Sequence, residues 1–193
     1  MKNKMFFRNI IYISILISLS VVLSLFDRYI SMAILNLFPY ITFVFPYFKI
    51  GIANIVILII IYNYEFKYSV VAVILKSCIL ALFALSGLTT FIIGFTGTIL
   101  SYFVMFILRK FNPKNTFMIF VSMVGGFTHT LGQVLSSLLF YQNLNINSII
   151  LYSPFILTIG LISGLLIGLI TFKLNDIIQK HNLLKIKGET TNE

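Results

Sequence analysis

Residues 121–140 read VSMVGGFTHTLGQVLSSLLF. The stretch is apolar enough to sit in lipid, yet it carries His129 and Gln133 four positions apart, on one face of a helix. An imidazole and an amide each offer both a donor and an acceptor, so together they can read a polar ligand or clamp a neighbouring helix. Two further polar side chains fall inside apolar runs: Lys76 within KYSVVAVILKSCILALF, and Asn54 at the head of NIVILIIIYN. Polar groups at membrane depth are costly and mark functional sites by default. No acid lies deep in any predicted span, which leaves Lys76 without an internal counter-ion. Three arrangements satisfy it: neutralisation on burial, hydrogen bonds to groups of the bundle, or an anionic or carbonyl-rich ligand. Asn54, Lys76, His129 and Gln133 are therefore expected to converge on one polar site, with an interhelical clamp among the four as the structural alternative.

Other chemistries lack their residues. Prenyl transfer needs clustered aspartates to hold magnesium against a diphosphate. The five acids of this chain are Asp27, Glu65, Asp176, Glu189 and Glu193, and no two form such a cluster. There is no GxxxxGK[ST] phosphate loop, and one cysteine with two histidines gives no zinc, iron–sulfur or haem spacing. The chain is expected to be non-catalytic by itself, with no metal and no cofactor.

The elements that position these residues follow from composition. Hydrophobic residues make up 59% of the 193 and charged residues 10%, where a soluble domain carries about a quarter charged. The expected fold is all-α: a single integral membrane domain over 1–193, a bundle of six transmembrane helices near 9–26, 50–64, 68–86, 89–108, 116–140 and 148–172, then a cytoplasmic tail, 173–193. An isolated span must satisfy its own backbone hydrogen bonds, which makes each a helix. The first apolar run enters Asp27 and Arg28 without a small-residue cleavage site, and reads as a retained helix rather than a signal peptide.

The net charge of +9 sits mostly at helix ends, which argues for topology signals and against nucleic acid. Lys2, Lys4, Arg8, Lys67, Arg109, Lys110, Lys114, Lys173, Lys180, Lys185 and Lys187 fall on one side of a six-span layout, against Arg28 and Lys49 on the other. Both termini are thus expected to be cytoplasmic. The stretch YISMAILNLFPYITFVFPYF, 29–48, is apolar enough for a seventh span, but Pro39 and Pro46 interrupt it and a seventh span would break the charge pattern. It is expected to be an outer loop, lying in the interface or covering the bundle. Small residues at four-residue spacing mark close helix contacts: Gly160, Gly164 and Gly168 in the sixth span, Gly94, Gly97 and Ser101 in the fourth, and Ser14 and Ser18 in the first. For the glycines of the sixth span, packing within the chain is favoured over a dimer interface.

Two stretches resemble a known bacterial membrane family. FPYFKIGIANIVILI, 45–59, is similar to its Pro-x-x-Lys-x-Gly-x-Ala-Asn block, and GGFTHTLGQVL, 125–135, to its Gly-x-x-x-His-x-x-Gly-Gln block. The family is known as heptaprenyl diphosphate synthase component I, or Gx transporter, and the resemblance covers nearly the whole chain. Lys49, Gly51, Ala53, Asn54, His129, Gly132 and Gln133 fall on its pattern, which adds Lys49 to the ligand-site residues. Lys76 stands where the family pattern suggests a basic residue, usually Arg, so an anion contact there loses the bidentate geometry of a guanidinium.

In size and layout the family is similar to the substrate-binding S components of energy-coupling factor transporters. That similarity implies a small-molecule-binding subunit of the bacterial cytoplasmic membrane. It also implies a transmembrane coupling subunit with ATPases as partners, docked where Ser14 and Ser18 take the place of an Ala-x-x-x-Ala motif. Two further roles are implied by the family: an accessory subunit beside membrane redox proteins in quinone- or flavin-linked electron transfer, and a non-catalytic component in heptaprenyl diphosphate synthesis.

Overall fold

The computed structural model describes residues 2–39, 49–83, 87–140 and 146–180. It is an all-α bundle of six helices, with no strand among the described residues: α1 (Lys2–Leu35), α2 (Asn54–Asn63), α3 (Phe66–Phe83), α4 (Gly87–Phe111), α5 (Met118–Phe140) and α6 (Ile146–Lys180). A single 3₁₀ turn, Asn115–Phe117, leads into α5. Four stretches are long and apolar enough to cross a membrane: Asn9–Ile34, Phe91–Phe111, Asn115–Phe140 and Ile146–Lys180. Outward faces carry exposed Ile11, Ile15, Val71, Ile107 and Leu166, side chains suited to lipid tails rather than water. The chain is an integral membrane protein.

The predicted boundaries need three main corrections: the second span contracts, its helix running only from Asn54 to Asn63 instead of 50–64, and the first and sixth extend. The first helix does not stop at residue 26; it continues through Asp27 and Arg28 to Leu35, so residues 29–35 of the expected loop are helical. Nothing in DRYISMAIL breaks a helix, and the first proline comes only at Pro39. Ser20, Ser24, Asp27 and Ser31 recur at helical spacing and are all buried, so this face packs against the bundle instead of entering the interface. The rest of the expected loop, 40–48, with Tyr40, Pro46 and Tyr47, lies outside the described residues. The sixth helix likewise runs beyond residue 172 to Lys180, held by the buried Asn175, which donates to Asn115 Oδ1 at 3.3 Å and accepts from Asn63 Nδ2 at 2.7 Å. Residues 181–193 of the expected tail lie outside the described residues.

Helix α2 is the short interior element. Its 10 residues rise about 15 Å, half of the ~30 Å hydrocarbon core. Val56 through Tyr62 are all buried, as in a helix that is apolar all round and surrounded by others. Its last carbonyls are capped from α4: Arg109 donates to Tyr62 O at 3.1 Å and to Tyr64 O at 3.5 Å.

Helices α4, α5 and α6 pack side by side through small residues. A Cβ at Gly126 would run into the Gly160 carbonyl, and one at Gly164 would lie 2.6 Å from the Ser122 carbonyl. Ser122 Oγ donates to Gly164 O at 2.7 Å, and Ser101 Oγ to Gly125 O at 2.8 Å. Gly160, Gly164 and Gly168 are therefore buried within the chain against α5. Pro154 lies inside α6, where its missing N–H leaves the Ile150 carbonyl without its helical donor; Ser153 Oγ supplies one at 2.9 Å.

Candidate functional site

The site begins where the chain enters α2. Gly51 adopts φ 95°, a left-handed conformation that favours glycine. Its carbonyl accepts from Asn54 N at 2.8 Å, which turns the chain into the helix. Its own N–H points the other way and donates to Asp27 Oδ2 on α1 at 2.9 Å. Ser31 Oγ donates to Asp27 Oδ1 at 3.3 Å and accepts from Ile50 N at 3.0 Å. Ile50 is tied to α6 as well, through Ser163 Oγ donating to its carbonyl at 3.1 Å. The segment preceding α2 is thus held inside the bundle by hydrogen bonds from two helices, which is how non-helical backbone is tolerated within a membrane protein.

Above this turn lies a cavity of about 750 Å³, its open mouth included, walled by α1, residues 49–53 and helices α2 to α5. Only about 70 Å³ of it admits a water-sized molecule, well below the roughly 300–1,000 Å³ of sites that bury a drug-sized ligand, so it suits a small polar group whose larger body lies along the open mouth. Four of the sequence-derived candidates line it: Lys49, Asn54, Lys76 and His129. Gln133 does not; it sits one turn behind His129, 2% exposed, with its Nε2 3.0 Å from His129 Nε2. The pairing among the candidates is therefore intrahelical. Neither Asn54 nor Lys76 makes a side-chain hydrogen bond or ion pair with a described residue, so no direct clamp joins the four.

The expectation that no acid lies deep in a span is overturned. Asp27 is 2% exposed and lines the same cavity, within electrostatic range of both Lys49 and Lys76. Ending the first helix at residue 26 instead of Leu35 places Asp27 in an outer loop. The spacing of Ser20, Ser24, Asp27 and Ser31 was the available signal, a polar stripe continuing the helix across the charged pair. Arg28 also lines the cavity, and was read only as a topology charge.

Lys49 reaches over α4, where its Nζ would lie 4.0 Å from a Cβ at Gly94. Burial pushes its ammonium below the ordinary lysine range, and the Asp27 carboxylate pulls it back up. On α5, His129 Nδ1 and Gln133 Oε1 are buried without a hydrogen-bond partner. The imidazole also faces the backbone of Gly97, where α4 and α5 approach so closely that a Cβ at Gly97 would lie 2.7 Å from the His129 carbonyl. If the Gln133 amide donates to Nε2, the ring proton sits on Nδ1. Ser14 and Ser18 are exposed on α1, with Ser18 Oγ donating to Ser14 O at 3.0 Å.

No curated protein and no solved structure matches this chain. A family model does, over residues 16–174, which include all of α2 to α5, most of α1 and α6, and every cavity-lining residue named above. The chain belongs to the family described as heptaprenyl diphosphate synthase component I.

Proposed function

We propose that this protein is a small-molecule-binding membrane subunit, the substrate component of an energy-coupling-factor-like transporter in a bacterial cytoplasmic membrane. The observation that carries the reading is Lys76, 4% exposed on α3, lining a cavity without a hydrogen bond or ion pair to any described residue. A buried ammonium left in this state is costly, and a bound molecule that accepts from it removes the cost. Asn54 and His129 face the same space and supply further polar contacts. In this reading the open face of α1 with Ser14 and Ser18 meets the coupling subunit, and ATPases drive transport. Native mass spectrometry of the gently purified protein tests the binding role. The wild type should carry a bound small molecule that Lys76→Met loses. A wild type that carries none, under conditions in which the complex with its partners persists, would overturn it.

A second reading rests on family membership: the chain serves as a non-catalytic membrane component in heptaprenyl diphosphate synthesis. Its cavity would then act on the synthase's behalf by holding a substrate or product. Co-purification decides between them, since one reading expects a coupling subunit with ATPases and the other a prenyl synthase carrying aspartate-rich motifs.

A further inference from the structure

Among the described residues, the cavity carries an imbalance of charge that no other acid corrects. Arg28, Lys49 and Lys76 line it against Asp27 alone, three cations to one carboxylate, an excess of two positive charges. The remaining acids are Glu65, between α2 and α3, Asp176, near the end of α6, and Glu189 and Glu193 in the last residues of the chain. None lies between residues 66 and 175, nor between 28 and 64, so no loop or helix over those ranges brings in another carboxylate. Asp27 is already engaged by Gly51 N–H and Ser31 Oγ, which leaves it less able to serve the lysines. His129 lines the cavity as well, its imidazole set between the Gln133 amide and the Gly97 backbone. One wall differs in kind: Phe91 and Phe95 line the cavity as a stacked pair, ring centroids 5.5 Å apart.

We infer that the cavity takes a phosphate monoester bearing an apolar body, its dianionic head between Lys76 and Lys49 beside His129 and its body against Phe91 and Phe95. A phosphate monoester concentrates about −1.5 to −2 charges on one group at neutral pH, which matches a compact excess of two better than a single carboxylate does. Its oxygens are strong acceptors for ammonium and ring N–H donors. Asp27 is a positioning residue here. It anchors the turn at Gly51 and competes with the ligand for the two ammonium groups. The inference rests on the binding-subunit reading and names its ligand class. The same chemistry belongs to a water-soluble aryl or alkyl phosphate and to the head of phosphatidic acid.

The test uses the full chain in phosphatidylcholine nanodiscs, with phenyl phosphate, inorganic phosphate and benzoate as probes and thermal unfolding and calorimetric titration as readouts. Phenyl phosphate should bind saturably and more tightly than inorganic phosphate or benzoate. Lys76→Met and Lys49→Met should each weaken it by about tenfold or more, the effect of losing a hydrogen bond to a charged group. Asp27→Asn should tighten it, and if that variant does not fold, the two lysine variants decide. Phosphatidic acid added to the nanodiscs should displace phenyl phosphate if the natural head group comes from the bilayer, and leave it bound if the ester comes from water. Equal binding of benzoate and phenyl phosphate, or binding indifferent to both lysine variants, would overturn the inference. A neutral or cationic molecule that co-purifies and is lost in His129→Ala would also overturn it, while leaving the binding role standing. No bound molecule and no response to any probe would overturn both.

Discussion

Gly51 donates its backbone N–H to Asp27 Oδ2 at 2.9 Å, joining two residues 24 positions apart in the chain. This bond fixes the entrance to α2 against α1, and it holds Asp27, the one buried acid among the described residues, within electrostatic range of Lys49 and Lys76. The φ of 95° that aims the N–H at Asp27 is available to glycine at little cost. A side chain there would also crowd Asn54, whose Nδ2 lies 2.9 Å from where a Cβ would be. Gly51→Ala should therefore lower stability by about 1–3 kcal/mol, the cost of a strained residue, and weaken ligand binding as well. Thermal unfolding in detergent beside ligand titration checks both. An alanine variant as stable as the wild type would show that the turn relaxes freely.

The His129–Gln133 pair makes a different prediction. Gln133 touches the imidazole but does not line the cavity, so it should act through the ring. Removing it leaves Nε2 buried and unpaired, at a cost of about 1–3 kcal/mol. In a double-mutant cycle on ligand affinity, Gln133→Met and His129→Ala should couple by roughly 0.5–3 kcal/mol. Strict additivity would mean that Gln133 does not orient the ring.

Close packing between α5 and α6 predicts a purely structural defect. A Cβ at Gly164 would press on the Ser122 carbonyl and the Met123 backbone, neither of which is a flexible side-chain tip. Gly164→Leu should destabilise by about 1–3 kcal/mol, as overpacking does. The oligomeric state, read by light scattering of the detergent complex, should not change, because the stripe is already covered within the chain.

Arg109 closes the C-terminal end of α2 by donating to the Tyr62 and Tyr64 carbonyls, with its guanidinium 5.7 Å from the centre of the Tyr62 ring. Arg109→Met should cost about 1.5–3 kcal/mol, the worth of hydrogen bonds to a charged group. Arg109→Lys should recover only part, since an ammonium cannot reproduce the forked geometry. Midpoints of thermal unfolding for the three proteins order the effects.

Assembly and orientation can be tested on the outer surfaces. Ser14→Leu with Ser18→Leu should abolish co-purification with a coupling subunit while leaving the unfolding midpoint unchanged, since both serines are exposed. In a Cys78→Ser background, a cysteine at Asn145 should label from outside and one at Asn112 only after the membrane is opened. The opposite labelling would reverse the proposed orientation.

The all-α class and the helix-bearing regions were legible in the sequence, because a chain in lipid must close its backbone hydrogen bonds locally and long apolar runs admit one solution. His129 and Gln133 were legible as a pair for a similar reason, since a four-residue spacing forces a shared helical face. The glycine stripe of α6 could be found by spacing, but the partner that covers it depends on which helix packs there. Asp27 was misplaced because a charged residue at the end of an apolar run looks like a helix terminus. Only packing revealed that α1 continues and turns its polar stripe inward. The joining of Asp27 to Gly51, and of Lys49 and Lys76 to one cavity, was a matter for tertiary structure alone. These groups come from three separate stretches of chain, and which of them meet depends on how the helices tilt and dock, which no local periodicity records.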